Sequence, residues 1–303
     1  MHNLKTNFDI ILNICNTQLS EFIDMYGNFQ TYSNRPKMSD IQIVALAITA
    51  ESLSIDSENL LFSKLKKDYS SDFPNLINRC NFNRRRKKLM PYIATVNQNI
   101  ANSIEPNKDC YILDSMPIPI CKNIRIKASK ICKDNESVLP TTTYHASHKI
   151  YYFGFKLQLL ITKKGVPHTV ALTTASLHDS QYLSCFEDVQ ISDCELIADM
   201  GYLSESHQLN LFDNYKIKII TPIRANMDQT LSQWNKKRRY QRKRIETLNS
   251  QLDDQMMIHR NYAKTLTGLL TRITTKVAAV AVLQMVNYQN KKPLNQIKHA
   301  LAA

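Results

Sequence analysis

From the first residues to about position 105, apolar side chains recur at helical spacing. Leu4, Phe8, Ile11, Leu12, Cys15 and Leu19 mark one amphipathic stretch. A second, SDIQIVALAITAESL, opens on Ser39-Asp40, side chains suited to capping a helix N-terminus. Then NRCNFNRRRKKLMPYIATVNQNIANSI carries five consecutive cations, Arg84 to Lys88, into another periodic helix. With five glycines in 303 residues, Pro, Asn and Ser supply the breaks.

From Cys110 the pattern becomes that of strands. Cys110–Leu113 is a short apolar run that stops on Asp114. The lysine-rich stretch from Lys122 to Lys149 reads as a long loop. YYFGFKLQLLIT and PHTVALTTAS flank Lys163-Lys164-Gly165, which predicts a hairpin. A short helix fits residues 180–188, CELIAD a strand, SESHQLNLFDNY a helix opened by Ser204, and KIKIITPI a strand. From Trp234 onward the chain is again helical. This order predicts an α/β domain whose later crossovers suit parallel strands, preceded by a helical domain.

Composition adds a partner. Thirty-nine Lys and Arg against 26 Asp and Glu leave a formal charge of +13, which points to a polyanion, nucleic acid before an anionic membrane surface. The seven cysteines are odd in number, contain no C-x-x-C pair and in several cases sit in apolar runs, as reduced thiols do. Asp9 and Asn13 interrupt the first apolar run, so it is not expected to be a signal peptide. No run reaches about 18 uninterrupted apolar residues, so no membrane span is expected. The expected location is the cytoplasm, associated with the nucleoid through DNA.

Asp114 and Asp199 each end a strand of buried type, and ligands of open α/β sheets gather at the carboxyl ends of strands. Asp193 and Glu195 share Asp199's face by strand alternation and rank lower, at the solvated start of the strand. Glu246 lies at the margin of the stripe Ile245, Leu248, Leu252 and Met256, near Arg239, Arg242 and Asn249; an ordinary ion pair with Arg242 four residues earlier is the competing reading. Three carboxylates offer oxygen ligands to Mg²⁺, and two such ions about 4 Å apart serve phosphodiester cleavage. His178-Asp179 fits either the site or a helix cap. Cys121, Cys132, His145 and His148 lack the close cysteine pair usual in zinc sites, so no zinc is expected there.

DSMPIPICKNIRI, YYFGFKLQLLIT, the pair His178-Asp179, IADMGY, TPIR and RKRIETLNSQL, in that order, resemble the DDE transposases of bacterial insertion sequences, and most of all the insertion sequence 982 group. The likeness runs through most of the chain, NRCNFNRRRKKL included. It implies a ribonuclease H-like mixed sheet with flanking helices at 106–303, ending in a helical tail, behind an all-helical DNA-binding domain at 1–105. It also implies Asp114, Asp199 and Glu246 as the catalytic and metal-binding triad, Mg²⁺ (with Mn²⁺ able to substitute), and Pro117 and Pro119 closing the first strand. The partners implied are double-stranded DNA, as element ends and target, and a second copy of the chain in the active complex. Phosphate contacts are expected from Arg84, Arg85, Arg86, Lys87 and Lys88 and from Lys236, Lys237, Arg238, Arg239 and Arg242. Two positions depart from the pattern: Met200 and Asp253 stand where lysines are often found. The rival readings are a ribonuclease H-like nuclease that does not join strands and a decayed transposase that only binds DNA.

Overall fold

The computed structural model describes residues 3–146, 149–228, 230 and 232–301. Five helices come first: α1 (Leu4–Gln18), α2 (Asp40–Ser52), α3 (Glu58–Asp68), α4 (Arg79–Lys88) and α5 (Met90–Ile104). The strands β1 (Cys110–Cys121), β2 (Thr141–His145), β3 (Ile150–Thr162) and β4 (Pro167–Thr174) follow. The chain then alternates through α6 (Asp179–Tyr182), β5 (Glu195–Ile197), α7 (Glu205–Tyr215) and β6 (Lys218–Ile220), and ends in α8 (Lys236–Asp254) and α9 (Leu266–Gln289).

Two compact units result. The first combines residues 1–100, 252–262 and 267–303; the second is 101–251 with 263–266. The helical tail that the sequence attached to the catalytic domain therefore groups with the N-terminal helices. The reason is hydrophobic: α9 is buried almost all round, with Val277 to Val282 fully enclosed, and α2 is buried along most of Asp40–Glu51. Helices without a polar face need cover on every side. By length and composition alone α9 could cross a membrane, yet 83% of its most apolar window is buried within the fold.

Ser39 starts α2 with a reciprocal cap: its hydroxyl accepts the Gln42 amide, and Gln42 Oε1 accepts the Ser39 amide at 2.9 Å. Charges inside this unit are paired. Lys276, 1% exposed, donates to Glu51 at 2.5 Å and to the Met256 carbonyl at 2.6 Å. Arg272 adds a longer contact to Glu51 and donates to the Asp56 carbonyl.

The sheet belongs to the second unit and runs β2-β3-β1-β5-β6, with β4 paired to β3 as the predicted hairpin. β1 and β3 are antiparallel, while β1, β5 and β6 are mutually parallel. This mixed sheet with flanking helices is compatible with a ribonuclease H-like fold. Tyr111, Leu113, Leu196, Ala198, Tyr182, Phe186, Tyr202 and Leu211 form the core on one face.

Two expectations are corrected. β1 does not close at the prolines but continues through Pro117 and Pro119 to Cys121. Pairing with β5 involves only Cys110, Tyr111 and Ile112, so the later part of β1 has β3 as its paired neighbour, and prolines are tolerated on such an edge. Beside Pro119, Gly154 lies so near the Ile118 carbonyl that an added Cβ would fall 2.1 Å from its oxygen. The 122–149 loop in turn contains β2, in which half-buried Thr141, Thr143 and His145 alternate with exposed Thr142 and Tyr144.

The buried ion pair gives a test. Glu51→Leu leaves Lys276 without its counter-charge and should cost about 3–5 kcal/mol in urea unfolding, whereas Glu51→Leu combined with Lys276→Met should recover most of that loss. A double variant as unstable as the single one would show that packing, and not charge, dominates here.

Candidate functional site

Strand alternation places Asp114 with Ile112, Met116 and Ile118 on the face away from the Tyr111–Leu113 core, opposite Leu159 of β3. A carboxylate there is largely desolvated; its side chain is 15% exposed. Asp114 also stands two residues beyond the point where β1 parts from β5. Asp199 follows β5 by two residues and opens the single turn Met200–Tyr202. The two strands thus deliver both carboxylates to one end of the parallel pair.

Helix α8 brings the third. Ile245, Leu248, Leu252 and Met256 are all buried, as the stripe required, and Glu246 beside them is half exposed. Arg242, one turn earlier, gathers the group. Its guanidinium lies 3.0 Å from Glu246, 3.6 Å from Asp199 and 3.8 Å from Asp114. The ion pair with Glu246 forms, and the same arginine also faces the two aspartates. Asn249 donates to Asp114 at 3.3 Å, and its Oδ1 is buried without a partner, as is Nε of Arg242.

Burial pushes the Asp114 carboxyl up to about 6; Arg242 and the Ser115 amide pull it down, and Asp199 and Asp179 push it further up. An open cavity of about 370 Å³ lies over these groups, lined also by Tyr144, His145, Tyr152, Lys156 and Asp179. Asp179 is held by Lys156 at 3.0 Å, within reach of Gln158, which accepts the buried Tyr202 hydroxyl at 2.6 Å. Sequence reasoning weighed Asp179 as a helix cap; His178 fills that position, leaving Asp179 to the cavity. Lys156, Tyr144 and Tyr152 did not stand out in the sequence. Lys156 and Tyr152 share one face of YYFGFKLQLLIT by strand alternation, whereas Tyr144 lies on β2.

Among the described residues, no three His, Cys, Asp or Glu side chains are placed to hold a metal ion. The guanidinium occupies the centre between Asp114, Asp199 and Glu246 instead. The donor set nonetheless suits a hard cation: three carboxylates turned to one positive centre, beside an orphaned amide oxygen on Asn249. Of the cysteine–histidine pattern, Cys132 is buried and bonded through its amide to Lys264, and His148 lies outside the described residues.

The other predicted residues divide. Arg85 is bound to Asp40 at 2.5 Å and to the Met38 carbonyl, and buried Arg86 to Glu58 at 2.7 Å. Both are engaged by acids of their own unit, while Arg84 and Lys88 are exposed and Lys87 is half-buried. On α8, Arg238 pairs with Glu195 at 2.5 Å, and Lys236, Lys237 and Arg239 are exposed. Glu195 is thereby engaged away from the cluster, and Asp193 is exposed on a left-handed turn.

A family model described as "Transposase DDE domain" matches residues 105–265, more than half of the chain and the whole of the span from β1 through α8. No curated protein matches the sequence.

The burial of Asp114 has a measurable cost. Its folded value near 6 lies above the ordinary 3.8, so the folded state holds the proton more tightly and loses stability as pH rises from about 4 to 6. Asp114→Asn, which cannot ionise, should stabilise the protein at pH 8 by about 1–3 kcal/mol, and the gain should vanish below pH 4. Thermal melts across that range check this. A destabilised variant at pH 8 would mean that attraction to Arg242 outweighs burial.

Proposed function

The chain belongs to the DDE transposase domain family, and on that footing we propose that it cuts DNA at the ends of a mobile element and joins the freed 3′-hydroxyls to target DNA. The observation that carries the reading is the convergence of Asp114, Asp199 and Glu246 on Arg242, from two strands and a helix far apart in sequence. The insertion sequence 982 group is the proposed branch, by the order of motifs given above.

Members of this family generally use divalent metals. We assign Asp114, Asp199 and Glu246 as the ligands and Mg²⁺ as the ion, with Mn²⁺ as a substitute. Bound there, the metal supplies a polarised phosphate and an ionised attacking oxygen. The chain's own contribution is electrostatic and geometric. β1 and β5 fix two carboxylates on a rigid sheet, α8 sets the third, and Asn249 orients Asp114. Arg242 neutralises the cluster until a stronger cation enters, because three carboxylates brought together repel one another. For ligation, Asp114 must be ionised, so a metal entering the site has to displace the proton that burial favours there.

DNA is the proposed partner, with a second copy of the chain in the active complex because two element ends must meet. Arg84, Lys87, Lys88, Lys236, Lys237 and Arg239 are the outward or half-buried cations left for phosphates. A ribonuclease H-like nuclease without joining, or a decayed copy that only binds, remain the rival readings, and a strand-transfer assay separates the three.

In that assay, with end-sequence DNA and Mg²⁺, Asp114→Asn, Asp199→Asn and Glu246→Gln should each abolish cleavage and joining while DNA binding persists. Asp193→Asn should be nearly silent; if it were inactive while Asp199→Asn cleaved, the second ligand would be misassigned. Independently of activity, Arg242→Gln should bind Mn²⁺ more tightly than the unaltered chain in titrations followed by electron paramagnetic resonance, since it removes the competing cation. Finally, Arg84→Ala with Lys88→Ala should lower the log–log salt slope of duplex binding by about 0.9 per lost phosphate contact. An unchanged slope would make these cations a solvated face.

A further inference from the structure

The first unit contains a second cavity, of about 280 Å³, lined by Phe29, Tyr32, Leu89, Pro91 and Tyr92 together with Gln30, Asp40, Arg85 and Lys88. Three aromatic rings converge on it. Phe29 and Tyr92 stack with centroids 3.8 Å apart and planes 10° apart, and Phe22, 46% exposed, meets Tyr92 edge-on. Tyr32 donates to Asp40 at 2.8 Å and lies under the Arg85 guanidinium. Nearby, exposed Tyr26 carries Arg35 over its ring.

The electrostatics are those of a nucleic-acid site, not of a purely apolar cleft. Asp40 is fully buried, and Arg85 cancels its charge at 2.5 Å, so the cavity floor is neutral and hydrogen-bonding. Its rim is positive, with exposed Lys88, and Arg84 stands four residues earlier on the same helix. Flat π-faces beside a cationic rim are what proteins use to hold unpaired bases, because every base presents a stacking face and every nucleotide a phosphate. The cavity is at the small end for ligand sites, with room for one flat heterocycle.

We propose that this pocket binds a single unstacked nucleobase of a DNA strand, stacked on the outer side of the Phe29–Tyr92 pair, whose inner faces cover each other, with Lys88 on the adjoining phosphate. The proposal rests on DNA being the partner but goes beyond the metal-dependent chemistry, since it assigns the first unit a recognition role for unpaired DNA.

The test uses the full-length chain and three fluorescent probes: a mixed-sequence single-stranded 12-mer, the same strand with abasic sugars throughout, and the matching duplex. Phe29→Leu and Tyr92→Leu keep apolar bulk, so packing is largely preserved, and remove the π-faces. Each should weaken binding of the base-bearing strand by roughly 5- to 150-fold, the range for one lost stacked base. Binding of the abasic strand and the duplex should stay within twofold. Equal losses on all three probes, or no loss on any, would overturn the pocket. If either Leu variant melts early, the unaltered protein decides: equal affinity for the base-bearing and abasic strands overturns the proposal, and a clear preference for bases supports it. A chain that binds the duplex but shows no base preference sinks this inference alone. A chain that binds none of the probes sinks it together with the transposase reading.

Discussion

A carboxylate taken out of water needs a cation within reach, and this chain meets that demand repeatedly. Asp40 has Arg85, Glu51 has Lys276, Glu58 has Arg86, and Asp114 has Arg242. Isolated charges cost several kcal/mol to bury, so each acid positions a base on a neighbouring element and thereby fixes that element. In the helical unit these pairs are closed and hydrogen-bonded. At the candidate active site the pairing is looser, with one guanidinium at 3.0–3.8 Å from three carboxylates. Close pairs lock a core; a shared, longer-range one leaves acids that can be claimed by another cation.

Some of the 39 basic residues are thus engaged inside the fold. Arg85, Arg86, Arg238, Arg272 and Lys276 are spent on acids and carbonyls of their own unit. The remainder sets the field outside. Since buried pairs cancel locally, the surplus over acidic residues is carried by exposed lysines and arginines, where it acts on a polyanion over roughly a Debye length of about 10 Å.

Much of this was legible in the sequence. The periodicity of α1 and α8, the cap that opens α2, the Gly165 hairpin and the alternation of strands and helices after Asp179 follow from apolar spacing and turn chemistry. Asp114, Asp199 and Glu246 stood out because each interrupts or borders an apolar pattern, although their joint assignment as ligands came from family resemblance. Three features were hidden. β2 has polar threonines that a lysine-rich context disguised as loop. β1 extends past its prolines because its later edge needs no amide there, which depends on where β5 stops. The inward course of Arg85 and Arg86 was readable in principle: five consecutive residues at about 100° each go right round a helix, so they cannot all face solvent. What no local pattern reveals is which acids wait inside, because Asp40 and Glu58 lie on other helices.

The discontinuity of the helical unit bears on how the protein is made. Its first hundred residues leave the ribosome well before α9, which begins at residue 266 and carries much of the apolar surface they need. At about 5–20 residues per second, the interval is on the order of 10–30 s. During it, α2 has no complete core and Glu51 has no Lys276, while the sheet unit can already close. Nascent N-terminal helices would then be natural clients for chaperones, and a transcript interrupted before α9 would yield a finished sheet joined to an unfinished, aggregation-prone head. Truncation in this chain therefore acts first on proteostasis, at the end of the sequence farthest from the break.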